Sequence, residues 1–465
     1  MTRLWGSAFS GLYLLAQALI EVVACAAIDG PADATMIFAS RHVERAETDA
    51  EARRRLYRVL ATILRFSLGL AIPVAALTLL LGGPVVRHFF PRYRELVPGL
   101  LLLGCTLVPR AISQNAISAT KALLLMQYDA VLNGLLYPLL LLVGGLLAHL
   151  GGGGLTALIG VQLAAECALA ALALQVFSRF FSLRQLVSAW RLPLDRELLH
   201  FVVPQGLNLM FNRYIARLDS IMLAGFGLGK SDLGFYSTAA LFTGLLAQIR
   251  MIFSGALAPV AARFHGAGER EALENTMGRV ARWSTSLVIP AVFIVLVFRA
   301  DLLGLVSPDY RQTSLFVAIQ VIPPFTSCAY GLAGACLMFT GHSRTTLVNS
   351  VAVALLNTLL MYALIPRYGT VGAAVATAIA SSIMTGLQML ELYGLEHVAI
   401  RWRDVRLPHL GLALGLVPLF VFWDPAKLPP LGRVAVAVAA CGLYAAALLL
   451  PARFGTQDGA RSVAS

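Results

Sequence analysis

The feature that most limits what this chain can fold into is its series of apolar runs. A helix needs roughly twenty apolar residues to cross about 30 Å of hydrocarbon. Runs of that kind fall near 9–28, 56–81, 96–122, 128–149, 154–178, 199–224, 233–262, 284–299, 314–339, 345–365, 370–396, 407–423 and 432–451. They number about thirteen. Only 13% of the residues are charged, against roughly 25% in soluble proteins. The expected fold class is therefore all-α, a polytopic membrane protein. The longest hydrophilic stretches, about 29–55, 179–198 and 263–283, leave no room for a globular domain outside the membrane. The net charge of +12 does not imply nucleic acid, because the basic residues sit mainly in short loops between apolar runs. That is how membrane topology is written. The six cysteines lie in or beside the runs without metal-ligand spacing, so they read as small buried residues.

Topology follows from the loop cations. The loops after spans 1, 3, 5, 7, 9 and 11, with the C-terminal tail, hold about twenty Arg and Lys, and the opposite side about ten. The richer set includes Arg45, Arg263 and Arg461, and the poorer set Arg3, Arg311 and Lys427. The positive-inside rule then places the C-terminus in the cytoplasm and the N-terminus outside.

A repeat is visible at half the chain length. Gly11-Leu12-Tyr13 opens the first span and Gly234-Phe235-Tyr236 the seventh, an offset of 234 − 11 = 223 residues. Each span then meets a mixed-charge loop, FASRHVERAETDAEARRR in one case and VAARFHGAGEREALENTMGR in the other. Internal repeats of this size build many transporters. The expected division is an N-terminal lobe over 1–180, a cytoplasmic linker over 181–198, a C-terminal lobe over 199–398, and two further helices with a tail over 399–465. A helix precedes Gly234 but none precedes Gly11. The first helix of the first lobe is therefore expected to be missing, through an upstream start or a real loss.

Charges inside the runs carry the functional argument. An Arg at the centre of a membrane helix costs about 2.5–3.5 kcal/mol on insertion scales, so it faces a polar interior and has a task. On the run 199–224, Gln205, Asn208, Asn212 and Asp219 fall within about 60° of one another at 100° per residue, with Arg213 and Arg217 on an adjoining face. The amides either join neighbouring helices or line a cavity. Thr106, Arg110, Ser113, Gln114 and Lys121 make a second stripe on 96–122. Arg250 lies near mid-depth in its helix, and Arg65 can snorkel towards the cytoplasm. Glu21 and Glu166 are the acids read as buried. The excess of arginine over acid predicts a cationic cavity. Guanidinium binds phosphate bidentately and stays charged at any cellular pH, which points to an anionic, phosphorylated substrate. The expected substrate-binding residues are Arg110, Gln114, Asn208, Asn212, Arg213, Arg217, Asp219 and Arg250. No catalytic residues, metal ligands or cofactors are expected, since HExxH, GxSxG and GxxxxGK[ST] are absent.

The segment NSVAVALLNTLLMYALIPRYGTVGAAVATAIASS contains Asn349, Asn357, Ile365, Pro366, Tyr368, Gly369, Gly372, Ala373 and Ala374. It resembles the signature of the polysaccharide transporter, or oligosaccharide-lipid (O-antigen type) flippase, family. RLDSIMLAGF, LGFY and ALAPVAARF also resemble that family's second-lobe opening, and the likeness runs over nearly the whole chain from Gly11. The resemblance implies two six-helix lobes around a central cavity, two extra C-terminal helices and alternating access. Fourteen helices are usual in that family, one more than here.

The implied function is transport of a polyprenyl-diphosphate-linked oligosaccharide from the inner to the outer leaflet of a bacterial plasma membrane. Its partners are the lipid-linked oligosaccharide and membrane lipids, with a polysaccharide polymerase and glycosyltransferases working beside it. Two alternatives belong to other classes. A multidrug or cation antiporter of the same superfamily requires buried acids. A membrane glycosyltransferase or polymerase requires a large extramembrane loop carrying catalytic acids, and none is visible.

Overall fold

The computed structural model describes residues 5–43, 46, 49–306, 315–340, 342–421 and 428–454. Of the loop cations named above, Arg3, Arg45, Arg311, Lys427 and Arg461 lie outside these residues, and the side chain of Arg263 is likewise undescribed. Every regular element among the described residues is helical. Nine of these helices are long and apolar enough to cross a membrane, and a bent pair makes up to ten. Of the expected thirteen, the runs 199–224 and 407–423 are helical as Arg196–Gly225 and Trp402–Val421 but are not among these nine, and Ser343–Glu396 counts once although it has two arms.

The chain divides into two units, Met1–Gly234 and Phe235–Ser465. In the first, α1 (Ser7–Ala27) leads almost directly into α2 (Asp29–Val43), and together they form a span over Ala8–Ser40. The hydrophilic loop expected from residue 29 is thus helical to residue 43. Asp29 occupies the first turn of α2, where a carboxylate is favoured by the helix dipole. Asp33 follows one turn later. Both acids therefore lie within the span.

Helix α3 (Ala50–Phe89) starts at Asp49, whose side chain accepts from the backbone N–H of Glu51 at 2.8 Å. Its 40 residues extend about 60 Å, twice the hydrocarbon thickness. Its N-terminal turns packs Leu56, Tyr57 and Leu60 into a core with Ile117, Leu169 and Phe177. Helix α4 (Leu96–Ala122) packs on α3 and on α6 (Leu155–Phe180) through small residues. A Cβ on Gly99 would meet Ile159 Cδ1 at 2.6 Å, and one on Gly104 would meet Thr78 at 2.9 Å. Helix α5 (Met126–Leu150), π-helical over Ala130–Leu136, exposes Leu135, Leu142 and Leu147 as a lipid-facing surface would. The segment expected to be a linker holds α7 (Leu183–Ala189), which buries Leu186 and Ala189 in the same core. Arg65 donates to the carbonyls of Trp190 and Leu192, each at 2.8 Å, and so clamps this segment to α3.

Helix α8 (Arg196–Gly225) packs on α1 and α2. The division between units falls at Gly234. The approach is backbone to backbone, since a Cβ on Gly30 would lie 2.6 Å from Gly206 Cα. The turn after α8 is held by Arg92 donating to the Gly227 carbonyl, by Tyr93 Oη donating to the Leu228 carbonyl at 2.7 Å, and by a Lys230–Glu95 ion pair at 2.8 Å. The glycines of the repeated Gly-x-Tyr meet here: a Cβ on Gly11 would lie 2.9 Å from Gly234 N and 2.4 Å from the Lys230 carbonyl oxygen.

Helix α9 (Lys230–Ala267) carries the chain into the second unit. There follow α10 (Arg270–Val306), α11 (Leu315–Gln320), α12 (Ile322–Tyr330), α13 (Leu332–Phe339), α14 (Ser343–Glu396), α15 (Trp402–Val421) and α16 (Pro430–Phe454). Helix α14 is two arms that meet at Gly369, where φ is 56° and ψ −130°. The arms run side by side, for Asn349 on one donates to Glu391 on the other. The segment IPRYGTVGAA is this reversal. Gly369 takes the positive φ that an L side chain adopts only at a cost. A Cβ on Gly372 would lie 2.5 Å from the Leu364 carbonyl oxygen, and Ala373 and Ala374 are fully buried. Helices α15 and α16 pack on α10, with Gly415 against Phe293 and Gly411 against Tyr444.

Gly372→Val is expected to lower the thermal midpoint of the detergent-purified protein more than Gly369→Ala, because backbone must move to admit it. The Gly369→Ala cost is about 1–2 kcal/mol from the left-handed conformation alone. Thermal unfolding followed by circular dichroism checks the order, and equal midpoints would contradict it.

Candidate substrate-binding site

The polar interior of the first unit lies where α8 crosses α1 and α2, and ion pairs organise it. Arg217 donates to Glu21 Oε2 through Nη2 at 2.8 Å and Nε at 2.9 Å. One turn earlier, Arg213 lies farther from its acid, with Nη2 3.8 Å from Asp29 Oδ2. Its Nε instead faces Cys25 Sγ at 3.3 Å, and that thiol donates to Asp29 at 3.0 Å. Asp33 accepts from Gln205 on α8. Arg110 on α4 sits in the field of Asp29, Glu166 and Glu21.

The acids change the electrostatic expectation. Reading 29–55 as a loop left only Glu21 and Glu166 inside. Asp29 and Asp33 join them, so with buried Asp219 five carboxylates stand with Arg110, Arg213 and Arg217 in the helices of this unit. The predicted excess of arginine does not hold there, and the interior is a charge-paired surface. Burying a charge is costly unless it is paired, and Glu21 has Arg217 as its partner.

A second network runs beside the first. Tyr13 Oη donates to Gln162 Oε1 at 3.0 Å, and Gln17 Nε2 reaches the same oxygen at 2.6 Å. Glu166, one turn along α6, is 3% exposed, and its Oε2 has no hydrogen-bond partner among the described residues. Glu166 was read as buried from the sequence, but Tyr13, Gln17, Gln162, Asp29 and Asp33 were not read as interior polar residues, although Tyr13/Gln17, Gln162/Glu166 and Asp29/Asp33 all have the i, i+4 spacing that marks one helix face.

The remaining expected residues are spread out. Gln114 bonds Asn133 at 3.2 Å, beside Asn133–Asp129 at 2.7 Å and Lys121–Asp129 at 2.8 Å, which ties α4 to α5. Asn208 is buried, and Asn212 Nδ2 donates to its carbonyl at 2.8 Å and to its Oδ1 at 3.0 Å. Asp219 is buried and accepts from Ser220 N at 2.7 Å. Arg250 belongs to the second unit, and its buried Nε has no hydrogen-bond partner among the described residues.

Residues 51–308 match the model of a family described as "Polysaccharide biosynthesis protein". The chain belongs to this family. One curated relative, "Probable low-salt glycan biosynthesis flippase Agl15" of Haloferax volcanii, is 27% identical over 190 residues. That stretch is 40% of this chain and 39% of the relative, so the chain spans about two fifths of the length of the curated protein it matches. The fold is that of solved transporters. The lipid II flippase MurJ in an inward closed conformation aligns with a TM-score of 0.70 at 12% identity, covering 95% of this chain and 92% of MurJ. A multidrug resistance MATE family transporter of the MOP superfamily, inward-facing, aligns with 0.63 at 15% identity over 85% of this chain and 95% of its own. An outward-facing MATE structure aligns with 0.61 at 14% identity over 84% and 88%. The family member is therefore an all-α polytopic membrane protein of the flippase and exporter fold.

The Arg217–Glu21 pair yields a stability test. Arg217→Ala is expected to destabilise the protein by about 1–3 kcal/mol by leaving a desolvated carboxylate without its donor. Adding Glu21→Gln should return most of that loss. Denaturant or thermal unfolding of both variants in detergent measures it, and a double variant no more stable than the single would rule the pairing out.

Proposed function

We propose that this chain is a flippase that moves a lipid-linked, polyprenyl-diphosphate oligosaccharide across a bacterial plasma membrane by alternating access, with its C-terminus in the cytoplasm. The observation that carries the reading is the loose engagement of Arg213. Its side chain is 42% exposed and lies 3.8 Å from Asp29, whereas Arg217 holds Glu21 at 2.8 Å. A guanidinium held loosely can exchange its carboxylate for a phosphate and make the stronger bidentate contact. The family assignment and the flippase relative support the substrate class.

In this mechanism Arg213 receives the diphosphate in the first unit and Asp29 releases it. Arg217 keeps its pairing and holds α8 in register. Arg110 supplies a fixed positive field. Arg250 is the cation assigned to the second unit, and its buried Nε has no hydrogen-bond partner among the described residues. Gln114, Asn208, Asn212 and Asp219 supply hydroxyl-binding groups for the sugars. The lipid tail stays in the bilayer. An inside-negative potential assists outward movement of an anion by about 2.3 kcal/mol per charge per 100 mV. No step requires the chain to make or break a covalent bond, so the chain is assigned no enzymatic activity. A polymerase and glycosyltransferases would act on the same glycan before and after it.

One observation favours a second reading, cation antiport. The interior acids Glu21, Asp29, Asp33 and Glu166 outnumber those the sequence suggested, and MATE transporters share the fold. The two readings separate experimentally. In a deletion strain, Arg213→Ala and Arg250→Ala should restore surface polysaccharide about 10- to 100-fold less well than the intact chain, the loss expected for a charge-assisted contact. Full restoration by both would overturn the assigned roles. Cation efflux by the purified protein in liposomes would support the antiporter instead.

A further inference from the structure

Two imidazoles share one buried carboxylate where three helices of the second unit meet. Glu396, the last residue of α14, is 7% exposed. Its Oε2 lies 3.2 Å from Nδ1 of His265, near the end of α9. Its Oε1 lies 3.4 Å from Nδ1 of His342, the residue that caps the start of α14. The Thr340 hydroxyl, just past the end of α13, lies 3.2 Å from the same His342 nitrogen. The core beside the cluster joins Leu257 and Ala261 of α9, Leu273 and Met277 of α10, Cys336 and Leu337 of α13, and Leu392 of α14.

The placement is costly for an anion. A carboxylate at the C-terminal end of a helix sits at the negative end of its dipole, and removal from water adds to the cost unless a cation is near. The nearby guanidinium of Arg401 is engaged by Glu274 of α10. Glu391 of α14 is bonded to Asn349. Cys336 of α13 lies within the field of Glu396 and adds no positive charge. His397 packs edge-on against Tyr393. Among the described side chains, the two imidazoles are placed to neutralise Glu396, and histidine is the side chain that changes charge across the neutral range.

We propose that His265, Glu396 and His342 form a protonation-dependent latch that pins the end of α9 to the α13–α14 junction. An imidazolium at either position forms an ion pair with Glu396 and closes the latch. Loss of that proton as pH rises removes the attraction and leaves a buried, uncompensated carboxylate, which frees the end of α9. The charge pattern of the loops places this end in the cytoplasm, so cytoplasmic acidification would restrain α9. The inference concerns motion of one helix end and holds whichever substrate the protein carries.

Hydrogen–deuterium exchange of the purified full-length protein tests it, read on peptides covering 257–268 at pH 6 and pH 8 and corrected for the intrinsic exchange rate. The expected result is about tenfold greater protection at pH 6 in the intact chain, a local opening of modest free energy. Peptides of α6 should not respond. His265→Asn with His342→Asn, and separately Glu396→Gln, should abolish the difference. Equal protection at the two pH values, a response shared by α6, or a response retained in the double histidine variant would each overturn the latch. The comparison in the intact chain decides the matter even if a variant fails to fold.

Discussion

A charged side chain in the hydrocarbon layer must find a counter-charge, and the first unit is arranged around that requirement. Helix α8 brings Arg213 and Arg217 into the span, and α1 and α2 supply Glu21 and Asp29 to meet them. The helices cannot slide relative to one another without separating these charges in a medium of low dielectric, where the separation is expensive. The two pairs are unequal. Arg217 is tied tightly and Arg213 loosely.

Close backbone contact makes the pairing possible. The Gly30–Gly206 crossing allows α8 to lie near enough to α1 and α2 for side chains of ordinary length to meet. In a bilayer the hydrophobic effect does not drive helices together, so small residues that allow close packing carry much of the association. The same device recurs where Gly11 meets Lys230 and Gly234, and where Gly411 and Gly415 seat α15 beneath Tyr444 and Phe293. The glycine of the repeated Gly-x-Tyr is therefore a contact residue, which explains in physical terms why the pattern stands at both places.

Much of the fold was legible in the chain because bilayer thickness imposes a length on every span. The apolar runs located the helices, and the break between the runs 345–365 and 370–396 falls where Gly369 turns the chain. The interior was less legible. Asp29 and Asp33 read as the start of a loop because two acids in five residues lower local hydropathy, yet they sit on a buried helix that pairs them with α8. Residues such as Tyr13, Gln17 and Gln162 carry no charge to draw notice in an apolar run, although each pair has the spacing of a shared face. The balance of charge was misjudged for the same reason.

Length and polarity of each segment are local properties, so the chain alone settles its class, its helices and the identity of the residues too polar for their surroundings. Which cation meets which anion depends on helices far apart in sequence coming within a few ångströms. Glu21 and Arg217 are 196 positions apart, and no pattern along either helix names the other. The helix over 199–224 illustrates both sides. Its charges announced a buried task, but its packing on α1 and α2 and its unequal partners arise only from the crossing at Gly30 and Gly206.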